Sequence, residues 1–321
     1  MKDVKSTDFR LISTDYKFVH PTTKKVGKVR DNYLVDGDTL VAITTDRVSV
    51  FDKVVGSVPF KGQILNAISN YWFDVAREFD INTHFIKQID PAVNVYEACK
   101  VISIKVVARR YLAGNSPISI WTHYEKGSRN YCGNILPHNL KKYHRFSEPL
   151  ITPTIKAERD ELTSAYEIVD KDIVNSATWE CIVKTATRLF KLGELFANAR
   201  GLILADTKYE FGWSNTWQLL VIDEINTPDS SCYWSQDGFD KVIANGGDPI
   251  PLSKDHVREF YKKKGMTRHK DLIELPESVA KDTSAIYSKL YKRLFGKRFK
   301  PNMEDPSERI ERSLRRAGFL E

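Results

Sequence analysis

The stretch that decides the fold is Leu202-Ile203-Leu204-Ala205-Asp206-Thr207-Lys208-Tyr209-Glu210-Phe211-Gly212. Its first four residues are apolar and predict a buried strand, which continues as an alternation of charged and uncharged residues. Side chains two positions apart on a strand share one face, so Asp206, Lys208 and Glu210 are predicted to project together. Two carboxylates beside an ammonium group suit a site that holds Mg²⁺ and a polyphosphate. Taken alone, the stretch is equally consistent with an exposed, solvated row of charges.

The residues that follow predict the second strand of a hairpin. Residues 212–217 have the composition of a turn, and residues 218–224 form an apolar run that ends in two acids. A turn near Ser214 and Asn215 would place Asp223 roughly across from Asp206. A slip of one residue would present Glu224 instead, because side chains alternate between the two faces of a strand.

The composition is that of a globular protein with one large or two ordinary domains. The chain has 321 residues, of which 41% are hydrophobic and 28% charged. We expect a cytoplasmic protein, since no apolar segment typical of a signal peptide or of a membrane span is present and the four cysteines stand far apart. A net charge of +7 suits anionic small molecules or nucleic acid. The cations are scattered and no nucleic-acid motif accompanies them, so we expect neither a nucleic-acid nor a membrane partner.

Strands dominate the first hundred residues, and helices mix with strands after them. Asp-Gly at residues 36–37 separates two apolar runs and predicts a hairpin over residues 28–44. A buried strand is predicted over residues 101–107, and a long irregular insertion over residues 125–163. Periodic apolar positions predict helices at residues 64–79, 178–200, 254–264 and 276–295. We place a domain boundary near residue 104, which gives a β-rich domain (1–104) and a larger domain (105–321).

A candidate phosphate-binding turn precedes the first predicted hairpin. Gly27 would let backbone N–H groups approach a phosphate closely, and Lys28 and Arg30 would neutralise its charge. An ordinary surface turn explains the same residues. The sequence contains neither the P-loop nor the Rossmann glycine pattern, so those two nucleotide folds lose support.

These motifs resemble those of one family, the SAICAR synthetases of purine biosynthesis. Residues 204–212 match a signature of the family at every position, and the likeness runs in order over about residues 14–299. Further similar stretches lie at residues 27–31, 45–47, 119–127, 152–158, 223–231 and, more loosely, 275–284.

The resemblance implies an α+β fold with a small β-rich domain like the N-lobe of a protein kinase. A larger ATP-grasp-like domain would complete it, with ATP between the two. It implies ATP phosphates at Gly27, Lys28, Arg30 and Lys208, and Mg²⁺ at Glu210 and Asp223. Asp206 and Lys208 would lie beside the reacting groups. The positions implied for substrate binding are Arg109, Asp160, Asp229 and Ser231.

The implied reaction is an ATP-dependent ligation of a carboxylate to the amine of an amino acid such as L-aspartate. A carboxylate acylates poorly because oxide is a poor leaving group. Attack of its oxygen on the γ-phosphate would give an acyl phosphate, and the amine would then displace phosphate. Mg²⁺ and Lys208 would offset the charge of the transferring group, and water must be excluded because acyl phosphates hydrolyse.

The chain departs from the family pattern on the side of the carboxylate substrate. Lys105 stands where the family has Glu, and Cys232 where it has the Arg that helps to hold a ribose 5′-phosphate. Only Asp160 matches the family's His-Asp pair. The remaining departures are Ser103 for Pro, Arg110 for a residue that is often Gly, and Asn115 for Ser.

These departures favour a divergent ligase with a different carboxylate substrate. One alternative is an authentic SAICAR synthetase in which Lys105 or Arg110 takes over the phosphate. A non-catalytic ATP-binding protein is a third possibility, which the intact Glu210 and Asp223 disfavour. The sequence leaves open the carboxylate, the amine and the oligomeric state.

Overall fold

The computed structural model describes residues 9–114, 116–156, 160–266 and 268–321, and the backbone alone of residues 5–7. Asn115 and residues 157–159, part of the stretch that resembles the family, lie outside the described residues. The strands are β1 (Lys5–Thr7), β2 (Arg10–Ser13), β3 (Thr22–Val26), β4 (Arg30–Val35), β5 (Thr39–Thr44), β6 (Arg47–Val50), β7 (Lys53–Ser57), β8 (Phe85–Asp90), β9 (Val93–Glu97), β10 (Lys100–Tyr111), β11 (Asn130–Tyr131), β12 (Asn134–Ile135), β13 (Arg145–Ile155), β14 (Glu161–Leu162), β15 (Leu202–Trp213), β16 (Leu219–Ile222) and β17 (Ser231–Ser235). The helices are α1 (Lys61–Glu78), α2 (Ile120–Glu125), α3 (Ala165–Asp170), α4 (Ser176–Asn198), α5 (Phe239–Ala244), α6 (Asp255–Lys263), α7 (Glu277–Phe295) and α8 (Pro306–Arg316), with a 3₁₀ turn at His269–Asp271.

A five-stranded antiparallel sheet forms the first part of the chain, in the order β3-β4-β5-β9-β8. The predicted hairpin is confirmed, because β4 pairs with β5 around the Asp-Gly turn. Helix α8 returns from the C-terminus and buries Ile310 and Leu314 in a cluster with Val41, Ile43 and Val93 of this sheet.

A second sheet carries the predicted charged strand at its centre. Its order is β14-β13-β10-β15-β16, and β17 pairs with another part of β15. Helix α4 covers one face, where Ile182 and Leu189 share the largest apolar cluster with Tyr209 and Phe211 of β15. Clustering on that face leaves the opposite face of β15 free for polar side chains.

The four predicted helices are all present, within a few residues of their predicted ends. The chain therefore has the mixed helix-and-strand composition expected. Residue 104 lies inside β10, which belongs to the second sheet. Among the described residues, no helix combines the length and the hydropathy that crossing a bilayer requires.

Two predictions of local structure were wrong. The predicted irregular insertion at residues 125–163 contains β13, an 11-residue strand that accommodates Pro149 and Pro153. The predicted pairing of Asp223 with Asp206 fails because the turn between β15 and β16 spans residues 214–218. Ile222 lies opposite Glu210, while Asp206 lies opposite Cys232 of β17.

Candidate functional site

The exposed face of β15 carries the predicted row of charges. Thr207, Tyr209 and Phe211 are buried, whereas Asp206, Lys208 and Glu210 between them are only partly buried. The neighbouring strand β10 adds its own side chains in register, with Lys105 opposite Glu210 and Arg109 opposite Asp206. We call this polar surface of β10 and β15, with the side chains that contact it, the floor.

Lys208 holds the two predicted metal ligands together. Its Nζ atom lies 2.5 Å from Glu210 Oε1 and 2.8 Å from Asp223 Oδ2. Lys156, at the end of β13, forms a second ion pair with Glu210. Burial would raise the pKa of the Asp223 carboxyl, but Lys208 and Arg30 hold it well below its usual range. Both carboxylates are therefore ionised and charge-compensated.

Arg30 connects the first sheet to this group. Its Nη1 atom lies 2.9 Å from Asp223 Oδ1, and its Nη2 atom lies 2.8 Å from Glu224 Oε2. The residue sits at the start of β4, directly after a tight turn in which the Gly27 N–H donates to the Arg30 carbonyl at 2.7 Å. A Cβ on Gly27 would lie 3.0 Å from that oxygen, so the turn favours glycine. Lys28 is half exposed and forms an ion pair with Asp52.

The floor continues with two further ion pairs. Arg109 Nη1 lies 2.8 Å from Asp206 Oδ2, and its Nε atom donates to the Thr152 hydroxyl at 3.0 Å. Lys105 donates to both oxygens of Asp160, at 2.6 and 2.7 Å. The structure thus brings Arg109, Asp160 and Asp206 to one surface, as the resemblance implied.

Arg110 is not part of this surface. Its neighbour Arg109 faces the floor, so strand alternation directs Arg110 to the other side. There it is buried, lies 2.5 Å from Glu194 and donates to the Ser147 carbonyl at 2.6 Å. The suggestion that Arg110 takes over a substrate phosphate is therefore wrong. Of the two cations suggested for that role, only Lys105 lies on the floor.

An arginine from another part of the chain lies close to Cys232, the position at which the family has an arginine. Its Sγ donates to Asp255 Oδ2 at 3.1 Å, and Arg258 Nη1 lies 2.8 Å from Asp255 Oδ1. Burial alone would lower the pKa of Arg258, but Asp255, Cys232 and Asp206 raise it above its usual range. Helix α6 therefore places a guanidinium one side chain away from Cys232, which itself lies opposite Asp206 in the paired strands β17 and β15.

Asp229 and Ser231 do not reach the floor. The side chain of Asp229 is buried, with Lys61 Nζ at 2.9 Å, Lys254 Nζ at 3.3 Å and a hydrogen bond from the Tyr287 hydroxyl at 2.6 Å. The Lys61 pair lacks the alignment of a hydrogen bond. Ser231 bonds to Thr207, whose side chain points into the core, at 2.6 Å. The structure thus gives both residues internal partners.

Sequence reasoning missed three cations that the fold brings to this region. They are Lys156, Lys254 and Arg258, and the sequence stretches that resemble the family contain only Lys156. Nothing local in the sequence distinguishes Arg258 from other charged residues on an amphipathic helix. Its relevance depends on α6 packing beside β17, which is a long-range contact.

The oxygen donors of the floor fit a magnesium ion that is also bound by phosphate. The described residues contain no group of three or more acidic, histidine or cysteine side chains arranged to hold a metal by themselves. Mg²⁺ is commonly bound by one or two carboxylates together with substrate phosphates. Glu210 and Asp223, which share Lys208, supply that number of carboxylates.

Comparison with known proteins identifies the family of this chain. A sequence model of the SAICAR synthetase family matches residues 23–273, which is most of the chain. The chain belongs to the SAICAR synthetase family. Members of this family are ATP-dependent ligases that form an amide bond from a carboxylate and an amine, and the chain is an enzyme of this class.

Individual members of the family are similar over most of their length. The phosphoribosylaminoimidazole-succinocarboxamide synthase of Bacteroides thetaiotaomicron is 36% identical over 312 residues, covering 95% of this chain and 97% of the relative. The chloroplastic enzyme of Vigna aconitifolia is 40% identical over 241 residues, covering 75% of this chain and 70% of the relative. The structure of a Saccharomyces cerevisiae SAICAR synthase complexed with SAICAR aligns with a TM-score of 0.77 at 27% identity, covering 90% of this chain and 99% of that one.

Proposed function

We propose that this chain is an authentic SAICAR synthetase. It would join the carboxylate of an aminoimidazole ribotide to the amine of L-aspartate and convert ATP to ADP and phosphate. The observation that carries this proposal is the contact of Lys208 with both Glu210 and Asp223 on a floor that also presents Arg109. This arrangement supports phosphoryl transfer next to a bound anion.

ATP and Mg²⁺ are assigned to the half of the floor nearest the first sheet. Glu210 and Asp223 would hold the ion, and Gly27, Lys28, Arg30 and Lys208 would hold the phosphates. Mg²⁺, when bound, neutralises charge on the phosphate oxygens. Lys208 and Arg30 would move from carboxylate oxygens to phosphate oxygens as the nucleotide enters, since both already lie beside Asp223.

The carboxylate substrate is assigned to the other half of the floor. Arg109 and Arg258 would bind its phosphate, while Asp206 keeps Arg109 oriented through their 2.8 Å ion pair. Lys208, with Asp206, would lie beside the reacting carboxylate and the γ-phosphate. Asp160, held by Lys105, would face the substrate from the β13 side. Asp229 and Ser231 would support this half from below rather than contact the ligand.

A ligase with a different carboxylate substrate is the second candidate. Lys105 and Cys232 support it, because they alter the charge pattern on the substrate side of the floor. Arg258 weakens it, since a guanidinium remains beside Cys232. The similarity to named synthases over most of the chain favours the authentic reaction, whose expected setting is the cytoplasm.

Two finer descriptions of the fold belong to the same proposal. The first sheet would act as a domain like a kinase N-lobe, and the second sheet with its helices as an ATP-grasp-like domain. The boundary near residue 104 would then lie at the strand that leads from one sheet to the other.

The decisive experiment is a reaction with the purified chain, Mg²⁺-ATP, L-aspartate and the ribotide carboxylate. ADP release and the amide product are followed together by chromatography. We expect product that depends on all three substrates and disappears in Lys208→Met. Turnover with a different carboxylate alone would establish the second candidate. ATP binding without any turnover would point to a non-catalytic protein.

A further inference from the structure

A cavity of about 230 Å³ lies on the side of the second sheet opposite the floor. Its base is formed by Phe211, Leu219 and Val221 of the β15–β16 strand pair. Phe211 and Val221 are partners in register and point away from the face that carries Glu210. We call this space the reverse cavity. It shares strand β15 with the floor but none of the floor's charged residues.

Helix α4 provides two cations on one wall of the reverse cavity. Lys184 and Arg188 are four residues apart and therefore project from the same face of the helix. Both side chains are exposed, and within the described residues neither has an ion pair or a hydrogen bond. The third cation of this helix, Lys191, differs, because it pairs with Glu148 at 2.7 Å.

The opposite wall carries a single acid. It consists of Asp80, Ile81 and Asn82, where the chain leaves α1 and runs beside β16. The Val221 N–H donates to the Asn82 carbonyl at 3.0 Å, which fixes this wall to the base. Two cations against one carboxylate leave the lining with an excess positive charge above an apolar base.

We propose that the reverse cavity binds a small organic anion, a carboxylate or phosphate monoester that carries one apolar ring. Cavities of about 150 Å³ accommodate a benzene ring, so about 230 Å³ leaves room for a ring and an acidic group. The ring would contact Leu219, the partly exposed residue of the base, and the acidic group would lie between Lys184 and Arg188. Asn82 and Thr185 offer further hydrogen-bonding groups at the rim.

The reactivity of Cys181 reports whether a ligand occupies the reverse cavity. It lines the cavity and is exposed, whereas Cys99, Cys132 and Cys232 are partly buried. A ligand in the cavity covers the Cys181 thiol and slows its alkylation. The other cysteines serve as internal references in the same digest.

The test uses phenyl phosphate as the probe, with saturating ADP present to occupy the nucleotide half of the floor, and is repeated with Arg109→Met to detect binding at the other half. Calorimetry gives the Kd, and mass spectrometry follows iodoacetamide alkylation of each cysteine. We expect saturable binding and about tenfold slower alkylation of Cys181 alone at ten times the Kd. Benzyl alcohol, which has the ring but no anion, is expected to give no protection.

Matched variants separate this cavity from general surface charge. Lys184→Ala with Arg188→Ala is expected to weaken binding by about tenfold, since each exposed cation contributes about threefold. Lys191→Ala removes one cation from the same helix outside the cavity and should leave the Kd unchanged. Absence of saturable binding, or unchanged protection in the double variant, would overturn the proposal. Loss of the binding in Arg109→Met would overturn it too, because the probe would then occupy the floor.

Discussion

Arg30 Nη1 lies 2.9 Å from Asp223 Oδ1, so a guanidinium from the first sheet occupies one side of a carboxylate that belongs to the second. Lys208 takes the other oxygen at 2.8 Å. The proposed Mg²⁺ ligand is thus already neutralised by two protein cations. A metal ion arriving alone must displace one of them, whereas a metal ion arriving with ATP brings phosphate oxygens to which both cations can move.

This arrangement predicts that Mg²⁺ binds weakly in the absence of nucleotide, and that Arg30→Met strengthens this binding. Removing one unit charge beside the ligand alters a cation's energy by about 1–4 kcal/mol, so Mg²⁺ alone should bind about tenfold more tightly or better. Binding of ATP should weaken in the same variant. Calorimetry with Mg²⁺ and with ATP measures both. Lys28→Met is the control for the binding of Mg²⁺ alone, since it removes a cation that pairs with Asp52 and not with Asp223. Equal Mg²⁺ affinities in wild type and Arg30→Met would contradict this account.

Adjacent arginines on β10 predict opposite phenotypes. Arg109 contacts Asp206 on the floor, so Arg109→Met should raise KM for the carboxylate substrate by about tenfold to a hundredfold. Arg110 is buried against Glu194, so Arg110→Met should lower the free energy of unfolding by about 3 kcal/mol with KM unchanged. Steady-state kinetics and urea unfolding of both proteins provide the comparison. A KM change in the Arg110 variant would show that the assignment of strand faces is wrong.

The buried carboxyl of Asp46 should make the free energy of unfolding depend on pH, independently of the floor. Its carboxylate accepts the N–H groups of Leu11 and Gly62, each at 2.8 Å, and burial raises its pKa to about 6. Because the folded-state pKa exceeds the unfolded value, this stabilisation is full below about pH 4 and is lost as the pH rises through 6.

Between pH 5.0 and 7.5 Asp46 should therefore contribute a loss of about 1.4 kcal/mol in the free energy of unfolding. Asp46→Asn cannot titrate, so its unfolding free energy should lack this part of the pH dependence, whatever its absolute stability. Urea unfolding at both pH values measures the difference between the two proteins. Identical pH dependence in both would show that Asp46 titrates normally in the folded state.

The features predicted correctly from the sequence are those with a local cause. The alternation at residues 206–210 was enough to predict a shared face, because strand geometry alone determines it. The predicted register of Asp223 against β15 was wrong by several residues, because the register depends on the length of the turn between β15 and β16. The Arg109–Asp206 pair joins residues 97 positions apart, and only the packing of β10 against β15 creates it.

Cys232 and Arg258 show how a long-range contact can change a prediction of function. The sequence indicates that an arginine is missing at position 232, whereas the fold places Arg258 beside it through Asp255.

If Arg258 binds the substrate phosphate, Arg258→Ala should raise KM for the ribotide carboxylate by about tenfold or more, with KM for ATP unchanged. Cys232→Ala should change neither value, because an uncharged thiol that donates to Asp255 offers little to an anion. Cys232→Arg in the Arg258→Ala background should restore part of the affinity, since a guanidinium would again lie next to Asp255. Initial-rate kinetics with each substrate varied separately distinguish these outcomes, and a normal KM in Arg258→Ala would remove the residue from the substrate site.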